Sequence, residues 1–441
     1  MPIPKAVMTL AVPTIIGQMI VLIYSLADTF FIGRTGNPYM VGAASLVLPV
    51  FNMCIPLANM FGVGGGTLVS RLMGAGEEQD AGKISAFSFW TAAAMGITVS
   101  ASLLFAMDPL LRALGASADT YHFAKQYATC VLGFGAVPTI LQMVLAGFLR
   151  SVGCAKQAGF GVSMGGILNI GLDPLFMFVL FPHGMEVVGA GMATMLSNTV
   201  TLIYFLLVIR SLRGKTVITL NPRAGLPDRG KIGRIFAVGV PAAVTSLLFD
   251  VDFIVIDRLM AAFGDIPLAA VGIVLKAERL PLNVGIGLCN GMVPIVAYNY
   301  ASGNRKRMFD ALKFTRNAGL LFAVGSVVLY QLLAPQVMSL FINEAQTIEL
   351  GTRFLRARCM ATPFMFTCFN LVFFFQGVGK GKISMFLGVV RWVVFNIPML
   401  FLMNAVFGMY GIVWSQIPGD ILTIAASYAA YFRFVREESI L

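Results

Sequence analysis

The sequence predicts an all-α polytopic membrane protein: twelve transmembrane helices in two six-helix lobes related by a pseudo-two-fold axis along the membrane normal. Three observations predict it. The 441 residues are 58% hydrophobic and only 12% charged, with a mean hydropathy of +0.84, far from the balance of a soluble domain. Apolar runs of about 20 residues, the length that crosses a bilayer as a helix, recur along the whole chain. The two halves also repeat one another at a nearly constant offset.

Taken in order, the apolar runs lie at roughly 6–33, 39–70, 84–107, 122–149, 157–182 and 187–210, and then at roughly 232–262, 267–300, 310–334, 352–376, 383–405 and 408–432. The first run, LAVPTIIGQMIVLIYSLADTFFIGRTG from Leu10 to Gly36, carries Pro13 near its start and Asp28 in its second half. A carboxylate at bilayer depth costs about 2.5–3.5 kcal/mol on insertion scales, so it ordinarily faces a cavity, a partner or an ion route. The alternative is that Asp28 snorkels to the interface, drawn by Arg34. Pro13 removes one backbone hydrogen bond and predicts a kink, a candidate hinge.

Between the runs, every second loop is basic: Arg71 and Lys83, Arg150 and Lys156, Arg210 to Arg234, Arg305 to Arg316, Lys380 and Lys382, then Arg433 and Arg436. The positive-inside rule then puts both termini in the cytoplasm. Arg353, Arg356 and Arg358 fit less well, because they open the tenth run on the other side; either they line an aqueous entrance or the run begins elsewhere. The segment SLRGKTVITLNPRAGLPDRGKIGR from Ser211 is polar and rich in Gly and Pro, and it reads as a linker. It separates an N-lobe over 1–212 from a C-lobe over 231–441, with 213–230 between them.

The halves match motif by motif. Pro13 to Gly36 and Pro241 to Gly264 have the same spacing; RLMGAGEE near Gly76 pairs with YNYASGNR near Gly303; Pro138 with Pro363; SVGCAK from Ser151 with GVGKGK from Gly377; and Asn169-Ile170 with Asn396-Ile397. Parallel repeats of six spans are a transporter architecture, in which one bundle rocks against the other.

Composition also excludes. The net charge of +11 sits in short loops rather than on one amphipathic face, which argues for the cytoplasmic leaflet and against nucleic acid. The six cysteines are scattered without a CxxC pair and read as reduced packing residues. MPIPKAV leads straight into a long apolar run with no cleavage site, so no signal peptide is expected. The run GVGGGT from Gly62 is glycine-rich but lacks the Gly-Lys-Ser/Thr ending of a phosphate loop. No triad or zinc motif occurs, so an enzyme is not expected, and neither is a cofactor.

The order of motifs resembles the multidrug and toxic compound extrusion (MATE) transporters, in particular the DinF-like and MepA-like branch. The carriers are P-x14-D with TFFIGRTG (Pro13 to Gly36), GVGGGTLVSRLMGAGE (Gly62 to Glu77), FLRSVGCAK (Phe148 to Lys156), NIGLDPLFMF (Asn169 to Phe178), VVGAGMAT (Val187 to Thr194), GMVPIVAYNYASGN (Gly291 to Asn304), QGVGKGK (Gln376 to Lys382) and LGVVRWVVFNIP (Leu387 to Pro398). The resemblance implies a secondary active exporter in the inner membrane of a prokaryote. It would expel cationic, amphipathic drugs or other toxic organic compounds in exchange for H⁺ or Na⁺, and would act as a monomer. It also implies an ion site at Asp28, Asn169, Asp173 and Thr194.

The residue types agree with either ion. Asn169 and Asp173 are four apart and share a helix face. Two carboxylates in one dry pocket do not both stay ionised without a counter-ion; alternatively, carboxylate, amide and hydroxyl oxygens are the hard ligands of an alkali cation. Asn169 and Thr194 also have a plainer reading as an interhelical hydrogen-bond pair, worth about 0.6 kcal/mol.

In the second half, LFDVDFIVIDRLM offers Asp250 and Asp252 as acids that attract a cationic substrate in the cavity, with Asp257 and Arg258 solvated near the helix end. Arg391, inside the eleventh run, is expected to pair with one of these acids, because an unpaired buried guanidinium is costly. Abundant Met and Phe would suit varied ligands if some line a cavity. The rival reading is a flippase for lipid-linked saccharides from the same superfamily, which the Arg353–Arg358 cluster keeps open. A channel is disfavoured by the paired repeats with one acidic site.

Overall fold

The computed structural model of the chain describes residues 1–439, which are helical almost throughout. The first half opens with α1 (Ile3–Gly33), which runs through Pro13 without a break. After Gly36, at positive φ, Asn37 caps α2 (Pro38–Asn52) by accepting from the Tyr39 amide, and Pro38 occupies the first turn, where its missing N–H costs nothing. α3 (Cys54–Gly74) continues the same span. α4 (Glu78–Phe105) begins with Glu78 and Asp80, acids that suit a helix N-terminus. The short α5 (Met107–Ala113) leads to α6 (Ala118–Ala128), whose Ser117–Thr120 capping box sets its start.

A π-helical segment, Thr129–Phe134, joins α6 to α7 (Ala136–Ser151), and the chain bends by 43° there. α8 (Ala155–Leu175) runs into a second π-helical segment, Phe176–Leu180, and α9 (Glu186–Ser211) closes the half. The linker docks on α4: Ser85 donates to the Thr219 carbonyl at 3.0 Å and the Trp90 indole to that of Leu220 at 2.9 Å.

The second half runs through α10 (Arg229–Ala261), α11 (Asp265–Ala301) and α12 (Arg305–Ser339). α13 (Ala345–Cys359) and α14 (Thr362–Val378) meet at a 44° bend. α15 (Gly381–Val389) passes through a π-helical segment, Val390–Asn396, into α16 (Ile397–Trp414), and α17 (Gln416–Ser439) follows.

Nine helices or merged helices are long and apolar enough to span a membrane, and the two bent pairs raise this to eleven among the described residues. The helix expected as the twelfth span, α17, forms but is less apolar. Gln416 and Asp420 lie in its first turns and Arg433, Arg436, Glu437 and Glu438 in its last. The tenth span starts earlier than its apolar run suggests, at Ala345, so all three arginines of the 353–358 cluster lie on α13 inside it.

The repeat is written into the backbone. Left-handed glycines recur at Gly36 and Gly264, Gly76 and Gly303, and Gly153 and Gly379, offsets of 228, 227 and 226 (264 − 36, 303 − 76, 379 − 153). By contact the helices form two compact units, one of Val12–Ala243 and one of Met1–Ala11 with the chain from Val244 onward. Both divisions fall within two residues of a helix proline, Pro13 in α1 and Pro241 in α10.

The start of α10 packs within the first unit, where a Cβ at Gly239 would overlap the Met60 carbonyl and Lys231 bridges Glu77 and Asp80. The start of α1 packs within the second, where a Cβ at Gly291 would lie 2.6 Å from the Ala11 nitrogen and Arg307 donates to the Met1 carbonyl at 3.0 Å.

Candidate functional site

Glycines on α8 let its two neighbours close in. A Cβ on Gly159 would overlap the Pro13 carbonyl of α1, one on Gly166 would lie 2.7 Å from Ile20, and one on Gly165 would overlap the Thr201 hydroxyl of α9. The next turn of α8 carries Asn169 and then Asp173, 2% and 0% exposed. Close approach of the flanking helices thus encloses these two side chains.

Asn169 donates to the Thr194 hydroxyl of α9 at 3.3 Å, so the structure joins two of the four expected residues directly. The Asn169 carbonyl oxygen, both carboxylate oxygens of Asp173 and Oδ1 of Asp28 are buried and have no hydrogen-bond partner. Asp28 and Asp173 are near enough for their charges to interact. The Asp28 side chain is half-buried overall, and Arg34 lies over the Phe30 ring at 6.0 Å. No ion pair joins Arg34 to Asp28 among the described residues.

Two residues that sequence reasoning missed share this neighbourhood. Tyr24 and Tyr127 are both within electrostatic reach of Asp28 and Asp173. Tyr24 was legible, because it lies one turn before Asp28 on the same helix face. Tyr127 was not, because it comes from another helix, α6, and no sequence spacing links it to Asp28.

The cluster is therefore rich in acceptors and poor in donors. A buried acceptor without a donor costs about 1–3 kcal/mol, and more when it is charged. Among the described residues no group of three His, Cys, Asp or Glu could hold a metal, so any cation here would rely on mixed carboxylate, amide and hydroxyl oxygens.

In the second half, Asp252 is 1% exposed and accepts from Asn396 at 2.7 Å, while its Oδ2 has no partner. Asp250 is half-buried and feels the charge of Arg279. Asp257 and Arg258 are exposed.

The expected partner of Arg391 is corrected. Its guanidinium makes a two-pronged bond to Asp420 of α17, at 2.9 Å from Nε and 3.3 Å from Nη2, and not to Asp250, Asp252 or Asp257. Both side chains are 2% exposed. The signal was available, since Asp420 is an acid inside the expected last apolar run. The arginines of the 353–358 cluster are also engaged: Arg358 with Glu278 in a buried pair at 3.0 Å, Arg353 with Glu349, and Arg356 with the Gln331 carbonyl.

With this geometry established, comparison with known proteins gives a consistent picture. The family described as MatE matches residues 13–175 and 241–402, one stretch in each half. Multidrug export protein MepA of Staphylococcus saprophyticus is 32% identical over 429 residues, 97% of this chain and 93% of that protein. The protein of the same name from Staphylococcus aureus is 31% identical over 427 residues, with the same two coverages. Among solved structures, an outward-facing multidrug resistance MATE family transporter of the MOP superfamily superimposes with a TM-score of 0.94 at 25% identity, covering 100% of this chain and 98% of that one. A MATE in complex with MaL6 gives 0.95 at 24% identity with the same coverage and supports the fold.

Proposed function

From the membership of this chain in the MatE family, we infer that it is a multidrug exporter of the membrane, and we propose that it works as a cation-coupled antiporter with alternating access. The substrates would be drugs, as the multidrug export named for the MepA relatives supports, and we propose cationic, amphipathic organic compounds among them. The chain would lie in a prokaryotic inner membrane as a monomer with both termini cytoplasmic, an orientation supported by the alternation of basic loops.

The observation that carries the coupling proposal is the pair of carboxylates, Asp28 and Asp173, set beside the Asn169–Thr194 hydrogen bond with buried oxygens that no described residue satisfies. H⁺ on a carboxylate or Na⁺ among these oxygens would complete them, and each route removes negative charge from a dry pocket. Ion binding here would draw α1 and α8 together about four turns along α1 from Pro13, the proposed hinge. Functionally the lobes would run over 1–212 and 231–441, joined by the linker 213–230. Asp250, less buried than Asp252 on the same helix, is the better candidate of the two for attracting a cationic substrate.

One charge crossing about 100 mV releases about 2.3 kcal/mol, enough to sustain a substrate gradient of roughly fortyfold. The flippase reading loses its main support, because the 353–358 arginines are paired with Glu278, Glu349 and a backbone carbonyl. The test is Asp28→Asn in cells exposed to a fluorescent cationic dye. Efflux should fall to the level of cells lacking the protein while the amount in the membrane stays normal; undiminished efflux would refute the site.

A further inference from the structure

The repeat offsets lead from the first-half site to a second cluster in the other half. Asn169 corresponds to Asn396 (offset 227), Thr194 to Asp420 (226) and Tyr24 to Asp252 (228), while the two first-half acids, Asp28 and Asp173, correspond to Ile256 and Leu400. Asn396, Asp420 and Asp252 are all buried and interlocked: Asn396 donates to Asp252, and Arg391 holds Asp420 with two bonds. Arg391 stands where the first half has Met164 (391 − 227).

The charge balance of the two clusters differs in one respect. The first-half cluster has two carboxylates and, among the described residues, no basic side chain engaged with them. The second half has two carboxylates, Asp252 and Asp420, and one guanidinium, fixed between the rings of Phe369 and Trp392 at 4.4 Å from each. A π-helical segment carries both Arg391 and Asn396 toward the acids, the kind of local distortion that recurs at functional sites.

The geometry points to Arg391 as a tethered cation: its guanidinium fills permanently, in the second half, the role that a mobile H⁺ or Na⁺ plays in the first. This rests on the ion reading of the first-half cluster and deepens it, because it leaves a single half with an exchangeable ion. Removing Arg391 should uncover a second ion-responsive site built from Asp420 and Asp252, whose Oδ2 already lacks a partner. The other groups facing that site are the Cys368 thiol, within 3.9 Å of Asp420, and the Arg358–Glu278 pair, of which Arg358 acts on Asp252 more strongly than Glu278 does, so the uncovered response should come chiefly from Asp420.

The experiment uses the purified full-length chain and reads thermal unfolding across mildly acidic to mildly alkaline pH without Na⁺, then across NaCl at fixed pH with choline chloride as control. Asp28→Asn should flatten the response of the wild type; if it does not, the first-half reading fails by itself. Asp28→Asn with Arg391→Met should restore a response of at least about 2 °C, and adding Asp420→Asn should abolish it again. The pH and NaCl arms tell a proton from Na⁺.

Arg391→Lys, which keeps a cation in place, should stay as flat as its Asp28→Asn parent. If the Arg391→Met protein is isolated only in acid or in NaCl, that dependence is itself the expected result. A response unchanged by Arg391→Met, or a protein rescued by neither condition, would overturn the proposal.

Discussion

Asp173 carries the sharpest physical tension in the molecule. It is fully buried, both its oxygens lack donors, and the nearby Asp28 adds a second negative charge. Replacing it by Asn removes a buried charge while keeping the shape, so Asp173→Asn should fold at least as stably as the wild type yet lose ion-driven efflux. A thermal melt alongside a dye-efflux assay checks both halves of that statement.

The buried pairs of the second half should behave in the opposite way. Cutting one partner of a buried ion pair typically costs about 3–5 kcal/mol, whereas replacing both by apolar side chains is near neutral. Glu278→Ala should therefore destabilise strongly, and Glu278→Leu combined with Arg358→Met should recover most of the loss in the same melt. At this scale Asp28 was readable as an acid that interrupts an apolar run and Asp173 through the family resemblance, whereas Asp420, which interrupts the last run in the same way, was missed. Which base meets which acid was not readable, because Arg391 and Asp420 are brought together only by the packing of α17 against the π-helical segment.

Among the elements, α8 is the one whose composition explains its job. Gly159, Gly165 and Gly166 bring α1 and α9 close enough to enclose Asn169 and Asp173. Gly166→Leu would collide with Ile20 and Tyr24, so it should push α1 away. It should abolish efflux and lower the melting temperature, whereas Gly171→Ala, at a position with open space around it, should change neither.

Helices with clear caps or left-handed glycines were legible from sequence. The bends of 43° and 44° were not. Apolar composition continues through the first break, where a π-helical turn is selected by what packs around it rather than by propensity; the second falls at a short turn just after Arg358, with no π-helix. α17 shows the converse: its helix was legible, but the polar side chains that weaken its apolar signal include Asp420, which is satisfied only by tertiary contact.

For the whole molecule, the repeat is the property that sequence and structure express most nearly alike, in motifs at matched spacing and in left-handed glycines at the same offsets. Its two halves are nonetheless chemically unequal: one keeps carboxylates without a base, the other supplies its own. That asymmetry is what the proposed exchanger, with one exchangeable ion per cycle, would need, and it would tie energy coupling to the first half.

The most direct test is substrate uptake into inverted vesicles with an imposed gradient, first of H⁺ without Na⁺ and then of Na⁺ at equal pH on both sides. One of these gradients should drive accumulation of a cationic dye by the wild type, and neither should do so for Asp28→Asn. Equal uptake with and without the gradients, or gradient-driven uptake that survives Asp28→Asn, would contradict the account.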